Sequence, residues 1–258
     1  MKQSQSFDKA LQAIRAGLIA GRWKPGDRLN TVALAEELGL SVSPIRDAVN
    51  ELIAQDVLER HPQRGTCVAV HSIQDLSDLW DLRALLEGQA ARWLAERAGE
   101  ATLAALTTQT QQLDDFAVAA SEQLCYMPDG PQFDDLRNRI FEAEDQFHSY
   151  FVECVGSRSL LATWRPRHFV TWTAMCNALS SGLYRVDGEF HLHAWVMEAV
   201  CSRDPQRAAE TVQEHVLSAK DGLLRYMSLL AGQRPVGVRS RVVQEAASEQ
   251  AKASIGGR

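Results

Sequence analysis

No run of apolar residues in this 258-residue chain approaches the roughly 18 needed to cross a bilayer. The N-terminus, MKQSQSFDKA, lacks the apolar segment of a secretory signal, so nothing there marks the chain for export. Cysteine is sparse: Cys67, Cys125, Cys154, Cys176 and Cys201 are scattered, odd in number and without a CxxC pair. That argues against a disulfide framework or a zinc knuckle and suits reduced thiols in a cytoplasm. An excess of positive charge is missing too. The formal net charge is −6, which taken as a sum argues against nucleic acid. The charge is uneven, however: residues 1–71 hold nine Lys/Arg and eight Asp/Glu, net +1, and the remainder carries −7. That division suits two domains, and a 45% hydrophobic content is enough to fill their cores.

What is present begins with short periodic segments. Phe7, Leu11, Ile14 and Leu18 recur at steps of four, three and four, one face of a helix over residues 6–20. Gly21 and a Pro25-Gly26 turn end it. A second helix is expected over 31–38, capped by Thr31 and stopped at Gly39. In the next stretch, SVSPIRDAVNELIAQDVLERHPQRGT, Ser43 is expected to cap a third helix with Pro44 in its first turn. Ile45, Ala48, Val49, Leu52 and Ile53 then face inward, and Arg46, Asp47, Asn50 and Glu51 face outward. VLERH and TCVAV, around PQRG, read as a hairpin.

Three short helices followed by a hairpin make a winged helix-turn-helix. The third helix would offer its N-terminal end and polar face to a major groove. Arg64, at the tip of the hairpin, could reach phosphate or the minor groove. A plain helical domain with a surface hairpin is the alternative.

The same residues resemble the N-terminal domain of GntR-family transcriptional regulators. The resemblance runs through Ile19, Gly21, Pro25, Gly26, Leu29, Leu34, Ala35, Leu38, Gly39, Ser41, Pro44, Arg46, Ala48, Leu52, Arg64, Gly65 and Val68. It implies double-stranded operator DNA as partner, with Thr31, Ser41, Val42, Ser43, Arg46, Asn50, Arg64 and Gly65 as the DNA-facing set. One departure stands out: Val42 occupies the position where the family usually has an arginine that contacts the groove, and Ser43 replaces its threonine.

Beyond the wing the pattern is helical throughout. Ser72 can cap a long helix with Ile73, Leu76, Leu79, Trp80, Leu82, Leu86 and Ala90 on its apolar side. Helices are expected near 72–98, 100–120, 134–155, 157–181, 188–202 and 204–230, with a loop over 121–135. The fold class is therefore mainly all-α: a winged helix-turn-helix domain over 1–71, an antiparallel helical bundle over 72–231 and a disordered Gly/Ser/Ala-rich tail over 232–258. The aromatic run TWRPRHFVTWTAM is expected to be core.

The bundle resembles the FCD effector domain of the FadR subfamily of GntR regulators, through DLRALLEGQAARWLAERA, EDQFHSYFVECVGSRSL and FHLHAWVMEAVCSRDPQRAAETVQEH. The resemblance places His148, His193 and His215 on the family's three histidines, with Glu144 where the family carries Asp. Glu144 and His148 are four apart and share a helix face. Three imidazoles and a carboxylate suit a divalent metal such as Zn, Ni or Mn. Asp145, three residues before His148, is the alternative carboxylate, and a polar pocket without metal is the alternative site. Arg83 would pair with an anionic effector, or else with Glu87 on a solvated face. Of His191 and His193, two apart, only one can face the core.

Together these imply a cytoplasmic, homodimeric repressor controlled by a small organic acid. The rivals are a metal-dependent hydrolase or lyase, for which no paired base, nucleophile or oxyanion device is evident, and a regulator whose bundle only dimerises.

Overall fold

The computed structural model of the protein describes residues 2–128, 130–180 and 193–230. Its elements are α1 (Lys2–Ile19), α2 (Thr31–Leu38), α3 (Val42–Ala54), β1 (Leu58–His61), β2 (Gly65–Val68), α4 (Ile73–Arg97), α5 (Glu100–Tyr126), α6 (Pro131–Glu153), α7 (Arg158–Ser180), α8 (Ala194–Cys201) and α9 (Pro205–Leu230). The expected tail and the expected start of the helix at 188 lie outside the described residues.

The first three helices close on an apolar core of Ala10, Ile14, Leu18, Leu34, Ile45, Val49 and Leu52. β1 and β2 pair antiparallel, Leu58 opposite Val68 and His61 opposite Gly65. The segment before α2 lies along β2, where Leu29 N donates to Thr66 O (3.0 Å) and Val68 N to Asp27 O (2.9 Å). The result is a winged helix-turn-helix with the wing braced on one edge.

Two expected caps move. Asn30 caps α2, its side chain accepting from Val32 N and Ala33 N, so Thr31 is the first helical residue. α3 starts at Val42 behind Ser41, which makes no side-chain cap bond, so Ser43 lies inside the helix. Pro44 is tolerated at the third helical position because that N–H would have no intrahelical acceptor. Gly39 ends α2 at φ 65°, a left-handed conformation that favours glycine.

α4 to α9 form the helical bundle. Ser72 caps α4 as expected, in a reciprocal capping box with Asp75. Leu82 does not face the core but is 45% exposed. The buried stripe instead runs through Leu76, Trp80, Arg83, Ala84, Glu87, Ala91 and Leu94. The loop expected over 121–135 is largely helix: α5 continues to Tyr126, and α6 begins at Pro131 behind Gly130. α4 and α9 pack closely because Gly88 has no side chain. A Cβ there would sit 2.6 Å from the Gln213 side chain and 3.1 Å from the Ala209 carbonyl. The aromatic run is core as expected, with Trp164, Phe169, Trp172 and Met175 all buried.

α7 joins the two parts. Its Phe169 and Val170 belong to the apolar cluster of the first three helices, whereas Trp164 and Trp172 belong to the bundle core. The Arg15 guanidinium lies over the Phe169 ring, 5.0 Å from its centre.

Candidate effector site and DNA-facing surface

The bundle buries several ionisable side chains. Among the described residues His148, His193 and His215 come from α6, the start of α8 and α9, and are all buried. One ligand atom from each lies within 4.8 Å of the others. The rings pack on one another, His148 with His215 at 5.3 Å between centres and His193 with His215 at 4.8 Å. Phe147 lies against His193 at 3.7 Å.

Each of two imidazoles is held by a carboxylate on its Nδ1. His148 Nδ1 is 2.7 Å from Glu87 Oε2. His193 Nδ1 is 2.9 Å from Asp114 Oδ1. Their Nε2 atoms are therefore the ones left for the cluster. Glu144 Oε2 stands 3.3 Å from His193 Nε2, so the expected carboxylate is beside the cluster. Asp145 turns elsewhere, 2.7 Å from His168 Nε2.

Arg83 and Glu87 do pair, but not on a solvated face: both are 1% exposed. Arg83 Nε donates to Glu87 Oε1, which also accepts from Trp164 Nε1 at 2.9 Å. Arg83 Nη1 is buried without a hydrogen-bond acceptor, and the guanidinium lies 4.7 Å from the Trp80 ring centre.

These contacts set the protonation of the site. Burial works against the Glu87 carboxylate, but Arg83 and His148 override it and hold the group well below the usual range. His148 is lowered by burial, with Glu87 opposing. His168 is pushed down by burial, with Arg83 adding to the effect, to about 4. His193 is the opposite case. Burial disfavours its charge, yet Glu144 and Asp114 raise it to about 9.

Asp114, Glu87 as a histidine partner, and His168 were not among the residues singled out in the sequence. The signal was there: Leu103, Leu106, Thr110, Asp114 and Ala117 recur at three- and four-residue steps and are all buried. An acidic residue on an apolar stripe needs a partner. His193 is buried; its neighbour His191 lies outside the described residues.

The residues expected to face DNA lie around α2, α3 and the wing. Ser43, Arg46 and Asn50 are exposed on α3, Ser41 is exposed just before it, and Val42 is half-buried at its start. Thr31 is half-buried at the start of α2. Arg64 is exposed between the wing strands, and Gly65 follows it at φ 79°. Asn50 is tied to the wing: its Oδ1 accepts from Arg60 Nη2 at 2.6 Å. This bond links α3 to the first strand of the wing.

Comparison with known proteins agrees with this architecture. Residues 7–68 match the family model "Bacterial regulatory proteins, gntR family", and residues 78–218 match "FCD domain". The Nta operon transcriptional regulator of Aminobacter aminovorans is 26% identical over 211 residues, covering 80% of this chain and 89% of that protein. The HTH-type transcriptional repressor GlaR of Escherichia coli (strain K12) is 26% identical over 212 residues, covering 80% and 90%. The solved structure of E. coli McbR/YncC aligns with a TM-score of 0.59 at 20% identity over 88% of this chain and 97% of that one, a likeness of fold. With an FCD domain following a winged helix, the chain belongs to the GntR family of bacterial regulatory proteins: it is a DNA-binding transcriptional regulator, not an enzyme.

Proposed function

We infer that this regulator is a cytoplasmic repressor whose grip on its operator is set by a small organic acid bound in the helical domain. The observation that carries this is the convergence of three buried imidazoles within 4.8 Å in a chain that also carries a DNA-binding domain. The donor set fits a divalent ion of the Zn, Ni or Mn kind. It offers imidazole nitrogen from His148, His193 and His215, with the Glu144 carboxylate next to His193. When bound, the ion would supply a Lewis-acidic anchor for an effector carboxylate. Arg83 Nη1, a buried donor without an acceptor, suits a further anionic oxygen. GlaR, named as a repressor, supports that sign of regulation.

Coupling to DNA can run through α7. His168, stacked on Trp164 at 4.2 Å and bonded to Asp145, is adjacent in sequence to Phe169 and Val170, which pack into the DNA-binding domain. An effector that binds one placement of α7 better than another shifts operator affinity by that difference. A homodimer reading a near-palindromic operator with Arg46, Asn50 and Arg64 completes the proposal.

The test is a footprint on the operator recovered from genomic fragments, using chelated and zinc-loaded protein with a panel of small carboxylic acids. The expected result is a two-fold symmetric footprint released by an acid only when metal is present. A single half-site bound by monomer contradicts the dimer. Indifference to every metal and acid leaves a bundle that only dimerises.

A further inference from the structure

Asp114 does two jobs with two different oxygens. Its Oδ2 accepts from the backbone N–H groups of His193 (2.8 Å) and Ala194 (3.0 Å), which open α8. Its Oδ1 faces His193 Nδ1 at 2.9 Å. The carboxylate is 4% exposed, so water does not compete for these bonds. A carboxylate accepts only. His193 Nδ1 must therefore carry a proton in either charge state, and Nε2 is the nitrogen left bare once the ring, which Glu144 and Asp114 keep charged up to about pH 9, loses its second proton. Nε2 is the atom next to Glu144 and buried in the cluster. An imidazole ligates through the nitrogen without a proton, and the bond made by the other nitrogen decides which that is.

We propose that Asp114 is a positioning residue that holds a proton on His193 Nδ1, leaving Nε2 as the nitrogen that gives up its proton to a divalent cation, while capping α8. This deepens the metal reading above and rests on it. The two roles can be separated by one substitution. In Asp114→Asn the site facing the two backbone N–H groups must hold the amide oxygen, since an NH2 there would oppose two donors. The amide NH2 then points at His193 Nδ1 and needs it as acceptor. The ring proton moves to Nε2, and the ligand is lost although the cap of α8 is kept.

The experiment uses the full chain with 15N-labelled histidine, assigned with a His193→Gln control. Above about pH 9, where the ring is neutral, chelated wild type should keep the His193 proton on Nδ1, and Asp114→Asn should keep it on Nε2 with Nδ1 bare. Zinc affinity should fall about 10–100-fold in Asp114→Asn, the range typical of lost outer-shell partners, with helical content unchanged. Nδ1 protonated in both proteins, or wild-type zinc affinity in Asp114→Asn, overturns the proposal. Should Asp114→Asn fail to fold, the wild-type spectrum decides: a bare or metal-bound Nδ1 in zinc-loaded protein overturns it, and a protonated Nδ1 supports it. Failure of wild type to take up zinc overturns the metal reading alone, and the chelated spectra still decide what Asp114 does to the ring.

Discussion

The two parts of the molecule bury different things. Every residue of the N-terminal core is apolar, whereas the buried polar and charged residues described (Arg83, Glu87, Thr110, Asp114, His148, His168, Thr171, His193 and His215) all lie beyond the wing. The N-terminal domain keeps its polar groups outside, where DNA can meet them. The helical domain keeps its own inside, where desolvation makes each one costly unless partnered. A surface that reads a polymer needs exposure. A pocket that discriminates a small acid needs enclosed, oriented donors.

Breaking the interior charge should have the largest effect. Glu87→Ala removes the carboxylate that receives Arg83, Trp164 and His148 and leaves a buried guanidinium uncompensated. It should cost about 3–5 kcal/mol, read from urea unfolding. An exposed ion pair, Arg22 with Glu37, should contribute little when broken, which makes it the control.

Next comes the outer surface. Arg46→Ala should weaken operator binding by roughly 1–3 kcal/mol if Arg46 reads a base bidentately, and about uniformly across sequences if it only holds phosphate. Arg64→Ala should weaken it less. Neither should alter the unfolding curve, because both side chains are exposed. Undiminished binding by folded Arg46→Ala protein removes α3 as the reading helix.

The interior histidines also set a pH signature for the chelated protein. His168 is lowered to about 4, so the unfolded chain binds the extra proton and stability declines as pH falls from about 6.5 towards 4. His193 is raised to about 9, so its contribution is intact below about 6.5 and is lost as pH rises through 9. Stability should peak near pH 6.5, with His168→Gln flattening the acid limb and His193→Gln the alkaline one. Melts in chelator at pH 4.5, 6.5 and 9 check this. The raised value also means that metal must displace a proton from His193 across the neutral range, so uptake should keep improving up to about pH 9 rather than levelling off above 6.5.

The smallest effect concerns a cap. Asn30→Ala should cost about 1 kcal/mol, and Thr31→Ala, one residue on, close to nothing.

That last pair shows where the sequence was legible and where it was not. The winged helix could be read because its signals are local: the apolar faces of α1 and α3, Gly39, and the hairpin around Arg64. The cap could not be placed from residue type alone, since Asn30 and Thr31 are both short and polar and only the backbone decides which reaches Val32 N and Ala33 N. In the bundle, the three histidines and Glu144 were reachable by resemblance. Their carboxylate partners were not, because Asp114 and His193 are 79 positions apart and meet only through the packing of α5 on α8. Arg83 and Glu87 could be paired by their spacing, but spacing does not tell whether the pair faces solvent or the core.

The central claim is that the interior of the helical domain is a divalent-metal site. The most direct measurement is a zinc titration of chelator-stripped protein followed by thermal melting, wild type beside His193→Ala. Wild type should take up a single ion per chain and gain about 2.7 kcal/mol at a hundredfold excess over Kd, while His193→Ala gains far less. No uptake by wild type, or an equal gain by His193→Ala, would contradict it.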